Sequence, residues 1–264
     1  MLWGSPGAAE ARDGSSSNAE GIYSSILQRS LSSQMGFSYS AAIPTTRVRS
    51  GVERATLVRR TYSLVFASVV VTMLGAAFAV SQPRLMTAVW DHYIITFFLA
   101  LAPLYMALRY HRTFPQNLGF TFLFTFIEGI WIAPLLMFYE RMQPGILGQA
   151  GLLTLTTFGV LSAYAVLSRR DFSAWGGFFT IGLWVLIATS LLNMFFRNTT
   201  ASLWLAAGTI FVFGGLLIFD TWRIVRSGAY GPEDYVPAAV QIYLDLLNIF
   251  LAILQLLSGG NRRN

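Results

Sequence analysis

The chain has 264 residues, of which 55% are hydrophobic, 15% aromatic and only 11% charged. Soluble domains carry about 25% charged residues, so this composition is that of a membrane protein. The absence of cysteine excludes disulfides and thiolate metal sites; all 18 basic residues are arginines, most of them at the ends of apolar runs rather than in a stripe, which excludes a nucleic-acid-binding surface.

Residues 1–50 are rich in Ser, Gly and Ala and show no sustained apolar period. The stretch SPGAAEARDGSSSNAE cannot bury enough apolar surface to offset its chain entropy, so a flexible tail is expected. It has no basic region followed by an apolar one, as a secretory signal would. GIYSSILQRSLSSQMGF can place Ile22, Ile26 and Leu27 on one side of a short amphipathic helix, while Glu10, Asp13 and Glu20 count against a mitochondrial transit peptide.

From Thr61 onward the chain is a succession of apolar stretches. Seven spans are expected, at about Thr61–Val80, Ala88–Leu108, Leu118–Phe138, Ile146–Leu167, Ala174–Phe196, Ser202–Val225 and Val236–Leu257. Each is near the ~20 residues that cross a bilayer. Their connections are short, so residues 51–264 are expected to form one all-α membrane domain, a seven-helix bundle. Gly176-Gly177 and Gly214-Gly215 mark places where helices approach closely.

Arginine placement orients the bundle. Arg47, Arg49, Arg54, Arg59, Arg60, Arg109, Arg112, Arg169, Arg170, Arg223 and Arg226 fall on one side; Arg84, Arg141, Arg197, Arg262 and Arg263 fall on the other. The positive-inside rule then puts the N-terminus in the cytoplasm and, after seven crossings, the C-terminus outside. A bacterial inner membrane is the expected location, with an organelle membrane as the alternative.

Well inside the apolar runs lie three acids, Glu128, Asp220 and Asp245. An ionisable group in an apolar span costs at least a few kcal/mol and reads by default as a functional residue with a partner. Asp91 and His92, at the outer end of the second span, read as solvated. Asp220 is about five residues from the cytoplasmic end of its span and Asp245 about nine from its own. At ~1.5 Å per residue both lie roughly 8–13 Å deep, on helices that a short loop makes neighbours. Two adjacent carboxylates cannot readily both ionise, so a shared proton is expected and its gain or loss is a candidate gate. The pair also offers a weak cation site. Calcium takes six to eight oxygens, and Asp220 and Asp245, with Asn248 on the same face, supply only part of such a shell. Weak binding suits permeation.

Each reading has a plain rival. Arg223, three residues after Asp220, can neutralise it along one helix face. Glu128, in FTFLFTFIEGIW, either bonds a facing hydroxyl or backbone group or belongs to an ion path. No enzyme and no cofactor are expected: His92 and His111 lack metal-ligand spacing, and HExxH, a Gly-rich phosphate loop and GxSxG are all absent. An intramembrane aspartyl protease also uses two aspartates, but FDTW and YLDLLN supply only half of its YD and GxGD elements.

EDYVPAAVQIYLDLLNIFLAILQLL, with its acidic-aromatic loop, Tyr-Leu-Asp and Leu-rich end, resembles the C-terminal signature of the transmembrane Bax inhibitor motif family. VRRTYSLVFAS, NLGFTFLFTFIEGIWIAPLL and AYAVLSRRDFSAWGGFF resemble other parts of that family, and the similarity runs from about Arg59 to Gly259. The resemblance implies a seven-helix fold with the last helix central and, as in bacterial members, a pH-sensitive calcium leak controlled by an aspartate pair matching Asp220 and Asp245. It also implies an arginine latch at the end of the second helix, for which Arg109 is favoured over Arg112. Bacterial relatives without the pair are associated with a membrane quality-control protease. The alternative function is therefore a non-conducting regulator of such a protease or of a stress response. The partners so implied are the lipid bilayer, calcium and protons, or in the alternative another membrane protein.

Overall fold

Apolar runs with no water-facing stripe can satisfy their backbone in a bilayer only as helices or closed barrels. The computed structural model describes residues 51–196 and 198–260, and no strand occurs among them. The expected N-terminal tail lies outside the described residues. Eight α-helices follow one another: α1 (Gly51–Val80), α2 (Pro83–Asp91), α3 (Tyr93–Arg109), α4 (Gln116–Met142), α5 (Ile146–Leu167), α6 (Ser173–Phe196), α7 (Thr199–Trp222) and α8 (Tyr235–Gly260). A turn of π-helix, Arg223–Ser227, extends α7.

Six of these helices are long and apolar enough to cross a membrane: α1, α4, α5, α6, α7 with its π turn, and α8. The expected second span departs from a single rod. It breaks into α2 and α3, which meet at 101°. The cause is local. Asp91 and His92 interrupt the apolar run and stay exposed, His92 leaves the helical region at φ −119°, ψ 37°, and Pro83 fixes a fresh helix start where its missing N–H costs nothing. At the other end of the domain, α1 begins ten residues before the expected Thr61 and carries Arg54, Arg59 and Arg60 inside its first turns.

Small residues set the helix spacing. A Cβ on Gly75 would strike the Phe126 carbonyl, and one on Gly129 would strike the Thr72 carbonyl, so α1 and α4 touch backbone to backbone. Between α6 and α7 the fit is reciprocal, with the Phe219 ring over Gly176 and the Phe179 ring over Gly215. Gly177, by contrast, faces open space. The last helix, α8, packs against α1, α3, α4, α5 and α7. Half of its apolar window is buried, against 6% for α6. Ile242, Ile249 and Leu254 of α8 meet Leu57 of α1 and Leu217 of α7 in the main core.

One end of the bundle is closed by polar ties. Arg112, between α3 and α4, donates through Nε and Nη2 to Asp234 Oδ1 at 3.0 and 2.9 Å. The Gly231 N–H donates to Asp234 Oδ2 at 2.8 Å, and His111 Nε2 lies 3.5 Å from Oδ1. Asn117 Nδ2 bridges the His111 carbonyl and the Tyr235 hydroxyl, both at 2.9 Å. The loop that launches α8 is thereby fixed to the α3–α4 connection. Partial burial works to raise the pKa of Asp234, but the Gly231 N–H, the Arg112 guanidinium and His111 outweigh it and hold the carboxyl below the usual carboxylate range.

Two outcomes are expected in thermal unfolding of the detergent-solubilised protein. Gly129→Leu overpacks the α1–α4 contact and costs about 1–3 kcal/mol or more, whereas Gly119→Leu, with nothing near its Cβ position, leaves stability unchanged. Asp234→Asn costs about 1 kcal/mol or less, since the Arg112 side chain is 67% exposed. Because the folded pKa is the lower one, this stabilisation is fully present above the unfolded carboxylate pKa of about 3.9 and is lost as pH falls through the folded value. Wild type and Asp234→Asn therefore converge only in strong acid.

Candidate functional site

The seam between α7 and α8 is apolar except for a few side chains that meet across it. Asp220, two residues before the end of α7, is 7% exposed, and Asp245, ten residues into α8, is 4% exposed. Their carboxyl groups lie within hydrogen-bond reach of each other. A carboxylate only accepts hydrogen bonds, so a bond between the two requires one proton held between them. No N–H or hydroxyl reaches the buried Oδ2 of Asp245. Apart from the shared proton, the described residues offer this oxygen no donor, and a buried acceptor left without one costs roughly 1–3 kcal/mol, more if charged.

On the Asp220 side a cation is present. Arg223 Nη1 donates to Asp220 Oδ1 at 3.1 Å and to Gln241 Oε1 at 3.3 Å. The Tyr230 hydroxyl donates to the same Gln241 oxygen. The guanidinium lies over the Phe219 and Tyr230 rings at 5.4 and 4.9 Å, so aromatic faces add to its hold. Two carboxyls sharing a proton carry one negative charge, and Arg223 balances it.

Local sequence places each of these groups. Arg223 opens the π turn, a wider coil that recurs at functional sites; Ser227 Oγ donates back to the Arg223 carbonyl at 2.8 Å, and Gly228 ends the turn at φ +73°. Gln241 stands one helical turn before Asp245 and so shares its face of α8. Hydroxyl pairs pin α1 to both helices: Tyr62 to Thr221 at 3.1 Å, beside Asp220, and Thr72 to Tyr243 at 2.7 Å. Thr72 also donates to the Ser68 carbonyl, which leaves Tyr243 as the donor of the second pair.

The remaining expected residues are elsewhere. Asn248 donates to the Leu244 carbonyl of its own helix at 2.8 Å rather than to the pair. Glu128 is buried in α4, in the electrostatic reach of Tyr93 on α3 and Tyr243 on α8. The latch expected of Arg109 is not at the pair. Arg109 is exposed and lies 5.9 Å over its neighbour's ring, Tyr110. Arg112, the alternative, is held by Asp234. Both emerge at the polar end of α3, and the guanidinium on the aspartates is Arg223, the rival reading of the sequence. Gln241 and Tyr230 were not foreseen. Gln241 had a signal, being the one amide in VPAAVQIYLDLL and four residues before Asp245; Tyr230, in a loop, had none.

No group of three or more His, Asp or Glu that could hold a metal ion occurs among the described residues. With Arg223 withdrawn, Asp220, Asp245 and the Gln241 oxygen would offer part of an oxygen shell, which is a weak site for a hard cation.

Arg223→Gln is expected to destabilise the protein by about 1.5–3 kcal/mol, the range for hydrogen bonds to charged groups. In an Asp220→Asn background the same change should cost much less, and thermal unfolding of the four proteins of that cycle measures the difference.

A family model described as inhibitor of apoptosis-promoting Bax1 matches residues 54–263. Protein lifeguard 4 of Mus musculus is 32% identical over 230 residues, covering 86% of this chain and 93% of its own. Bax inhibitor 1 of Schizosaccharomyces pombe is 32% identical over 208 residues, 77% of this chain and 76% of its own. The Golgi anti-apoptotic protein of vaccinia virus is 38% identical over 161 residues, 61% of this chain and 66% of its own. With a match across nearly all of the helical domain, the chain belongs to the Bax inhibitor-like family of membrane proteins.

Proposed function

We propose that this protein is a pH-sensitive, calcium-permeable leak in which the Asp220–Asp245 pair is the gate. The observation that carries this reading is the contact of two buried carboxyls across the α7–α8 seam, with one oxygen lacking a donor and one guanidinium as counter-charge. In this reading the bent α2–α3 pair makes one crossing of seven, α8 is the central helix, and the arginine distribution puts the N-terminus in the cytoplasm of a bacterial inner membrane, or on the corresponding side of an organelle membrane.

The chemistry follows from charge. Gaining or losing the shared proton changes the net charge of a water-poor cluster by one unit, and in a low dielectric that is a large change in the force between α7 and α8. Arg223 occupies the position a permeant cation would take, so it must give way before calcium reaches the carboxylates. The π turn at its base is the element able to absorb that movement. Once admitted, the ion meets two carboxylates and an amide oxygen, too few to hold it, and passes on. Glu128, buried in α4, is a second acid that such a path would meet.

A second reading has its own support. Relatives bear the names Bax inhibitor 1 and Golgi anti-apoptotic protein, and α6 turns large apolar side chains such as Trp184, Phe195 and Phe196 outward. These favour a non-conducting regulator that acts on another membrane protein, in a stress response or with a quality-control protease.

Purified protein in liposomes loaded with a calcium dye separates the two. The leak predicts calcium flux that varies with pH, and flux that is several-fold weaker or insensitive to pH in Asp220→Asn and in Asp245→Asn. Flux unchanged in both variants contradicts the role given to the pair. No flux from the wild type, with a membrane protein that co-purifies in its place, supports the regulator.

A further inference from the structure

At the end of the bundle opposite the Arg112–Asp234 tie, a cleft of about 600 Å³ opens between the end of α1, the short helix α2 and the second half of α4. That volume falls within the roughly 300–1,000 Å³ typical of ligand sites. We infer that it binds one acyl chain of an anionic phospholipid of the surrounding bilayer, with Arg141 on the lipid phosphate.

The walls are apolar: Val80 from α1, Met86 and Trp90 from α2, Pro134 and Met137 from α4. The short helix α2, which turns 101° from α3, forms one wall, with the end of α1 and the second half of α4 forming the others. Pro134 also lacks the N–H that the preceding turn of α4 would use, a position where helices bend. α2 is itself amphipathic, with Leu85, Met86 and Val89 turned inward and Arg84, Thr87 and Asp91 exposed. Trp90, 57% exposed at the rim, is the residue type that favours the level of lipid headgroups.

Charge selects the headgroup. Arg141 is the only charged residue lining the cleft. The acid next to it in sequence is occupied, for Glu140 accepts from the Gly145 N–H at 2.7 Å and from the Leu147 N–H at 3.3 Å, capping α5. Among the described residues no carboxylate pairs with Arg141. A cleft with a free cation and no lining acid balances the charge of a lipid of net negative charge, whereas a zwitterionic headgroup brings an ammonium for which no carboxylate lines the cleft. A bilayer supplies such lipids at this depth, and a free phosphate would gain nothing from the apolar walls. This inference does not rest on the leak.

Native mass spectrometry of the detergent-purified protein tests it, with phosphatidylglycerol and phosphatidylcholine of identical chains. One phosphatidylglycerol should be retained per chain, several-fold more than phosphatidylcholine. Arg141→Gln should bring retention down to the phosphatidylcholine level, while Arg84→Gln, an exposed arginine outside the cleft, should leave it unchanged. Met137→Trp, which fills the cleft, should reduce both lipids, and inorganic phosphate should not compete. Equal retention of the two lipids, equal losses in Arg84→Gln and Arg141→Gln, or displacement by inorganic phosphate would each overturn the assignment.

Discussion

Two carboxyl groups buried across one seam cannot both be charged without a cation or a proton between them. Asp220 and Asp245 meet in this way, and the side chains around them are arranged to meet that demand. Arg223 supplies one positive charge from the same helix as Asp220, Gln241 and Tyr230 hold the guanidinium in place, and two aromatic rings cover it. Among the described residues no N–H or hydroxyl donates to Asp245 Oδ2, which leaves the shared proton as its one available donor. A buried ion pair completed by only part of its hydrogen bonds is costly, so this cluster is not a simple source of stability.

The rest of the domain keeps that seam closed. Backbone contact at Gly75 and Gly129 locks α1 to α4, and α1 then reaches both seam helices through Tyr62 and Tyr243. The Arg112–Asp234 tie fixes the loop from which α8 starts. α6 is the least enclosed of the long helices and packs along α7, through the two Phe-over-Gly contacts, Gly182 against Val212, Leu186 against Gly208 and the Asn193–Ser202 hydrogen bond. Under the gating proposal, this closed packing around one under-satisfied seam is what a local, charge-driven opening would act on.

Much of this could be read in the residues. Apolar length gave the long helices, because in lipid the backbone leaves no other solution than helix or barrel. The burial of Asp220 and Asp245 follows from their place inside apolar runs, and their adjacency from the short loop that joins the two helices. Arg223 was visible as an i+3 partner. The break at His92 was harder, since an apolar run with one polar pair reads the same whether the helix continues or turns. Hydropathy averages over that detail, while one pair of backbone dihedrals decides it. The π turn, and with it the reach of Arg223 to Gln241 on the other helix, has no signature in residue type. For the same reason the arginine at the aspartates was expected from Arg109: charge near a helix end is readable, but which of several ends faces the seam depends on tertiary packing.

Under the gating proposal, the charge state of the pair opens the α7–α8 seam. The chain has no cysteine, so a single Asn248→Cys substitution, one turn beyond Asp245 on the same face of α8, reports on that seam without background. Its rate of modification by a water-soluble thiol reagent, taken relative to a free thiol at each pH, measures opening directly. The account predicts a relative rate that changes several-fold with pH when the pair is intact and stays flat with Asp220→Asn or Asp245→Asn. A relative rate that is the same at every pH with both aspartates present would contradict it.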